Sequence, residues 1–512
     1  MNEPRHFSVR AYAALLGRNH NMRRLWLAGF VSMTADWFHR IALHVLIAAF
    51  FAENWQASLA GAASPVDEAS ALLWTTFAFQ AQMLPPTIFS PLIGSILDRF
   101  SRRTVMIVAD AARALMAFPF IFIIRPEYLS LMILLEVPLA VAAGFFDTAQ
   151  KAMLPDLVER DELVAANGII QANWGITAGL GALLGGALVL ALGPETAFLI
   201  NAATFVFSMA MVMTVRVEER HLAARRAAAA KGEASEDSGS FMEGVRYVTR
   251  RRALVALLSA KPGWALTGGT ILALHTVMGS SVFDNWGKPQ LGIGLLHGAR
   301  GAGGLIGALL APMIFPFFRR HPLKMLATIF LIYGVDYAII SQVGHVLTAA
   351  LMLVIGTTLS AQLWVAPAVI LQQTVPATLR GRVLAADHAL SLVFLGVSGL
   401  GAYALSELAG VSARTIALLA GAGLFAVGLA YLTAARFIEV DLDGLMEEAA
   451  LLEEKALRGH PEPAASLAPS LASAIPAAAW MPDDPELAGV SATEAAAEAS
   501  EAVSEAEPPK AE

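Results

Sequence analysis

The chain reads as an all-α membrane protein with twelve transmembrane helices in two six-helix halves that repeat one another. Three observations predict this. Of its 512 residues, 56% are hydrophobic and 15% are charged, against about 25% charged in soluble domains. The apolar residues fall into long runs, most of them near or above the ~20 residues needed to cross a bilayer. Lysine and arginine gather in alternate loops between those runs.

The runs can be taken in order. Segment 1–24 carries Arg5, Arg10, Arg18, Arg23 and Arg24 and leads straight into an apolar run at 25–51. No small-residue cleavage site follows a short apolar core, so this run reads as an uncleaved first span. Further runs at 71–97, 104–124, 128–152, 163–192 and 194–215 complete an N-terminal half, 25–215. Only Gly193-Pro194-Glu195 parts the last two. Residues 216–252, rich in Ala, Arg, Ser and Glu, read as a cytoplasmic linker, with Phe241–Arg252 as an interfacial helix. Runs at 253–282, 289–317, 323–343, 346–374, 383–408 and 412–435 make a C-terminal half, 253–435. Residues 436–512 form an acidic cytoplasmic tail. Asp441–Arg458 reads as a surface helix, and from Gly459 onward Pro, Ala, Ser and Glu predict disorder.

Charge sets the orientation. Of 35 Lys and Arg residues, 24 lie in the N-terminal segment or at the even-numbered loops and their edges. Only Arg125, Lys288 and Arg414 lie in the loops between. The bias predicts a multi-pass protein of the cell (inner) membrane with both termini cytoplasmic. The formal charge of −7 comes from the tail, where 17 acidic residues face 4 basic ones from Arg436 onward.

Several chemistries are excluded. The absence of cysteine removes disulfides, thiolate metal sites and Cys nucleophiles. No His/Asp/Glu cluster has metal-ligand spacing, no catalytic triad is visible, and no Walker lysine follows a glycine-rich loop. Neither an enzyme nor a cofactor is expected, and no nucleic-acid partner. The glycines at 175, 179, 181, 185 and 186, and at 301, 303, 304 and 307, fit close helix packing better than a phosphate cradle.

The turn Gly94-Ser-Ile-Leu-Asp98-Arg99-Phe-Ser-Arg102-Arg103 carries more than orientation, because an acid adds nothing to a positive-inside signal. Gly94, one turn before Asp98, would let two backbones approach closely. Asp98 at the helix end could accept hydrogen bonds from the start of a neighbouring helix, where the macrodipole favours an anion. Arg102 and Arg103 could meet carboxylates such as Asp387, or membrane lipid phosphates.

This turn resembles the signature loop of the major facilitator superfamily of transporters. Leu154-Pro155-Asp-Leu-Val158, Asp161-Glu-Leu-Val-Ala-Ala-Asn167 and Val375-Pro376-Ala-Thr-Leu-Arg380-Gly381-Arg382-Val383 strengthen the resemblance. It covers about residues 20–436 and is narrowest toward the enterobactin-exporter-like and macrolide-efflux-like branch. The halves also echo one another: Arg102-Arg103 and Pro155 have counterparts in Arg319-Arg320 and Pro376 at nearly equal offsets. There are departures. Ser101 stands where a glycine is usual, and Phe318-Arg319-Arg320 lacks the acid. Span 4 lacks an Arg-x2-Gln-Gly motif, and Gly181-Ala182-Leu-Leu-Gly185-Gly186 has alanine where the antiporter motif has proline.

The resemblance implies a secondary transporter working by alternating access, as a proton-coupled exporter of an amphipathic small molecule such as a drug, siderophore or metabolite. It implies a gating latch in which Asp98 meets the start of span 11 near Val383, with Arg99, Arg380, Arg382 and Asp387 around it. A single chain often suffices for this fold. Two alternatives stand beside it: a lysolipid or lipid translocator of the same fold, and a non-transporting sensor or scaffold whose acidic tail binds a partner.

Ionisable residues at bilayer depth are functional candidates by default. Asp36, Arg40 and His44 form one stripe of span 1 and should face a central cavity, with Arg40 able to neutralise Asp36. They are either a structural ion pair or a proton or substrate site. Glu136, without a basic residue one turn away, suits a proton carrier, as does Asp336. Asp147, Asp387 and the pair Asp110–Arg113 belong to the cytoplasmic third. Lys261, Arg300 and His275 are candidates for holding anionic groups of a substrate.

Overall fold

The structure is a computed structural model, and it describes residues 9–60, 64–159, 162–217, 246–283, 285–438 and 440–458. The described residues are almost wholly helical; an isolated antiparallel bridge joins Ala52 to Val66. Residues 1–453 group as one unit. Of a second unit, 454–512, the description reaches only the end of the helix Leu442–Arg458.

The first half opens with α1 (Val9–Arg18) and α2 (His20–Phe50). Asn19 caps α2 by accepting a hydrogen bond from the Met22 amide, the usual role of an N-cap amide side chain. The short α3 (Trp55–Leu59) precedes α4 (Glu68–Ile88), capped by Asp67. Pro85 and Pro86 sit at the end of α4. The chain breaks at Phe89 and restarts as α5 (Ser90–Arg99), which carries the arginine turn. Then come α6 (Arg102–Ala117), α7 (Leu129–Leu157), α8 (Leu163–Ile176) and α9 (Ala182–Met213). Within α9, Gly193 adopts φ 81, a left-handed conformation open to glycine. The Gly193-Pro194 corner foreseen in the sequence is therefore real.

The second half comprises α10 (Arg252–Leu258), α11 (Ala260–Val277), α12 (Pro289–Arg320), α13 (Pro322–Ile340), α14 (Val346–Ser360), α15 (Gln362–Thr374), α16 (Ala377–Ala409) and α17 (Ala413–Phe437). It is followed by α18 (Leu442–Arg458), the surface helix expected in the tail. Of the expected interfacial helix, residues 246–249 are helical; 241–245, the rest of the linker and the tail beyond 458 lie outside the described residues.

Among the described residues, nine stretches are long and apolar enough to cross a membrane. One of them, Ala166–Met213, runs 48 residues across the Gly193 corner. The long helices α2 and α4 are more polar and fall below that measure. Asp36, His39 and Arg40 of α2 and Gln82 of α4 enter the site described below. Leu115, Phe122, Leu134 and Leu408 stand exposed on the outer surface, as side chains facing lipid must.

The halves meet through glycines. A Cβ on Gly301 of α12 would lie 2.4 Å from the backbone of Ala178 and Gly179, and one on Gly186 would lie 2.6 Å from the Gln290 carbonyl. Only hydrogen lets these backbones close to van der Waals distance, so the glycine runs serve helix packing. Gly94 departs from expectation: nothing lies within 4 Å of a Cβ built there. Among the described residues, no backbone presses against it.

Candidate functional site

A cavity of about 250 Å³ opens between α2, α4, α6 and α7, with Trp174 of α8 and His388 of α16 at its edge. Its walls carry Asp36, Arg40, Arg113, Glu136 and Asp147 beside Trp37, Met33, Met83 and Phe146. A larger hollow of about 810 Å³ lies at the surface, lined by residues 18–21, 155–159, Glu162 and Leu163. That hollow sits among helix ends; the smaller cavity reaches the buried charges and is taken as the site.

Three of those charges, Asp36, Arg113 and Glu136, are held by partners. Arg113, buried on α6, donates from Nη2 to Asp36 Oδ2 at 2.5 Å and from Nη1 to Asp110 Oδ1 and Ser32 Oγ, each at 3.3 Å. Its guanidinium also lies 4.0 Å from the Phe205 ring centroid. One cation thus serves two carboxylates, in a setting where an unpaired charge would cost several kcal/mol. The expectation that Arg40 neutralises Asp36 is corrected: helical spacing put Arg40 on the right face, but Arg113 arrives from a different helix with a shorter reach. The Asp110–Arg113 pair stands as the sequence suggested.

Glu136 is not alone either. Its Oε1 lies 2.5 Å from Nε2 of His39, both side chains buried. His39 packs edge-on against Phe120 and Phe198 at 4.6 and 4.8 Å. A search for partners within span 4 could not find it, since it comes from α2. The signal was present as a histidine in the middle of an apolar run, next to Arg40.

His44 separates from the stripe. It is buried against Phe79, 4.7 Å between ring centroids, and its Nδ1 lies 3.1 Å from Thr276 Oγ1 of the second half. His275 reaches the Tyr337 hydroxyl at 2.8 Å. Asp336 is buried with Oδ2 lacking a partner, packed over Gly356. Neither His275 nor Asp336 lines the cavity. Lys261 meets Asp387 at 2.5 Å. Asp387 is therefore held inside the second half, correcting the expectation that it meets Arg102 or Arg103.

The described contacts of the arginine turn are made to the first half. Arg102 donates to the Ala152 carbonyl at 2.6 Å and to Asp156 at 3.1 Å. Arg103 donates to the carbonyls of Val212 and Met213, and Arg99 is exposed. The side chains of Asp98, Arg380 and Arg382 lie outside the described residues, so the latch they were expected to form is not in view.

On the side away from this turn, hydrogen bonds join the halves. Gln290 donates to the carbonyls of Ser58 and Leu59 at 2.9 and 3.2 Å, and Glu68 accepts from the Ala413 amide at 2.7 Å. Deeper in, Gln80 donates to the Leu392 carbonyl at 3.2 Å. The cavity thus lies beside a junction of two helical halves that is stitched on one side.

A charge-lined cavity among long apolar helices is the architecture of a multi-pass membrane protein. The chain belongs to the Major Facilitator Superfamily, whose family profile matches residues 25–390. It is 23% identical over 292 residues to the uncharacterized MFS-type transporter YkuC of Bacillus subtilis (strain 168), covering 55% of this chain and 66% of that one. To the putative bacilysin exporter BacE of Bacillus amyloliquefaciens it is 23% identical over 237 residues, 46% of this chain and 57% of that one. To the multidrug efflux pump Tap of Mycobacterium tuberculosis (strain ATCC 25618 / H37Rv) it is 29% identical over 244 residues, 45% and 54% of the two chains. The matched stretches span about half to two thirds of these relatives. Among solved structures, a bacterial homologue of the iron transporter ferroportin in an inward-facing state matches with TM-score 0.59 at 14% identity, over 81% of this chain and 98% of that one. An auto-inhibited POT family peptide transporter matches with TM-score 0.58 at 13% identity, over 82% and 98%. At such identities the likeness is one of fold.

Proposed function

We propose that this transporter is a proton-coupled exporter of an amphipathic small molecule, working by alternating access. The carrying observation is the cavity itself: apolar and aromatic walls for a bulky ligand, with ionisable pairs set into them at membrane depth. Its likeness to an exporter and to an efflux pump supports the outward direction. Twelve spans fit if α2 and α4–α5 cross the membrane and Ala166–Met213 crosses twice, folding back at Gly193. The lysine and arginine bias supports cytoplasmic termini.

Glu136 and His39 are the coupling pair in this reading. A carboxylate and an imidazole in contact can share one proton, and gaining or losing it changes the charge of the cavity wall. Asp36 with Arg113 is the structural counterpart that holds α2 to α6. The test is flux in proteoliposomes under an imposed pH gradient, using ethidium, erythromycin and a fluorescent lysolipid in parallel. Glu136→Gln is expected to abolish pH-driven flux while leaving ligand binding intact; normal flux in that variant discards the assignment. Transport of the lysolipid alone would establish the lipid-translocator alternative.

A further inference from the structure

Among the described residues, two guanidinium groups at the junction of the halves have no ion-pair partner. Arg40 comes from α2 of the first half and Arg300 from α12 of the second. Their Cζ atoms lie 5.2 and 5.9 Å from the same ring centroid, that of Trp37, which lines the cavity. Two like charges thus flank one ring. Arg300 Nε is buried without a hydrogen-bond partner. Among the described residues, Arg113 is matched by Asp36 and Asp110, and Lys261 by Asp387. A guanidinium does not escape its charge by losing a proton, so an anion brought in beside these two would meet cations that no ion pair occupies.

We propose that Arg40 and Arg300 form a binding site for an oxyanion, a carboxylate or phosphate carried by the transported molecule, with Trp37 as its apolar floor. This deepens the transporter reading and rests on it. The planar fork of arginine suits both oxyanions and can bind them with two parallel hydrogen bonds. Because the two arginines belong to different halves, one bound oxyanion would replace their repulsion with a bridge. Binding the anion would then favour the arrangement in which the halves are close at Trp37. An exporter built this way favours acids or zwitterions over purely cationic amphiphiles.

The experiment is calorimetric titration of the full-length chain in nanodiscs with three probes: 4-phenylbutyrate, its neutral amide, and lysophosphatidic acid. The acid is expected to bind about tenfold or more tighter than the amide, in line with the worth of one charged hydrogen bond. Arg40→Gln and Arg300→Gln should each erase that preference and leave amide binding in place; Arg40→Lys and Arg300→Lys, which keep the charge, should retain part of it. The lysophosphatidic acid arm separates a lipid phosphate from a soluble acid as the preferred source.

Equal affinity of acid and amide overturns the site. So does a preference that survives both glutamine variants, or binding of none of the three probes to protein that elutes as a single folded species. Proteoliposome flux separates this failure from that of the parent reading. Arginine-dependent binding without flux leaves the anion site standing and removes the exporter, while pH-driven ethidium flux together with equal binding of acid and amide does the reverse.

Discussion

Arg113 serves two carboxylates with one guanidinium, and this decides what each substitution there does. Arg113→Gln strands Asp36 and Asp110 together and should cost about 3–5 kcal/mol of stability, read as a fall in thermal unfolding temperature of the purified protein. Combining it with Asp36→Asn should recover part of the loss. The combination Asp36→Asn with Arg40→Gln should show no such coupling, because Arg40 stacks on Trp37 instead. Significant coupling in the second pair and none in the first would overturn the pairing. The residue types at these positions were legible in the sequence. Their partners were not, since each ion pair but Asp110–Arg113 joins different helices.

At the scale of helices, α12 against the end of α8 and the start of α9 depends on glycine. Gly301→Ala would drive a methyl into the backbone at Ala178 and Gly179, so the helices must part. The expected cost is about 1–3 kcal/mol. Gly304, one turn further along, has open space around it. Gly304→Ala should be neutral or stabilising by up to ~1 kcal/mol from helix propensity. Matched unfolding curves of the two variants decide the point; equal effects would mean that the backbone contact at Gly301 carries no weight. The sequence marked both glycines for close packing and could not separate them, because the difference lies in what faces each one.

The tail helix α18 is held by ions at its surface. Arg251 pairs with Glu448 and stacks on Tyr247 at 3.8 Å, and Arg319 meets Asp443 at 2.9 Å. The hydrogen bond from Arg251 holds the Glu448 carboxyl below its ordinary value near 4.5. A depressed carboxyl stabilises the docked state above its unfolded pKa, and this contribution is lost as pH falls through the lowered value. Protection from hydrogen exchange along 442–452, corrected for the intrinsic rate at each pH, should therefore fall on acidification. Glu448→Gln should produce the faster exchange already at neutral pH and remove most of the pH response. An unchanged exchange rate in that variant would exclude the pair as the tether.

For the whole molecule, the seal on the side away from the arginine turn is the feature most open to test. Gln290→Ala removes the bonds to Ser58 and Leu59 and should shift the population toward a state open on that side. The chain has no cysteine of its own, so one introduced in place of the buried Phe79 reports access directly. Its labelling by a membrane-impermeant maleimide should rise several-fold in the Gln290→Ala background. No change would mean that the Glu68–Ala413 bond and the glycine contacts suffice to keep the junction shut.

The sequence by itself determined the helical membrane architecture, the family, the corner at Gly193 and the set of ionisable residues placed at depth. Hydropathy, charge bias and turn chemistry are local properties, and a one-dimensional reading captures them. Tertiary structure decided the pairings: Asp36 with Arg113, Glu136 with His39, Asp387 with Lys261, and Arg40 with Arg300 around Trp37. Helical periodicity tells which face a charge occupies. Which helix that face meets depends on how the bundle closes, and the low dielectric there makes each such meeting count.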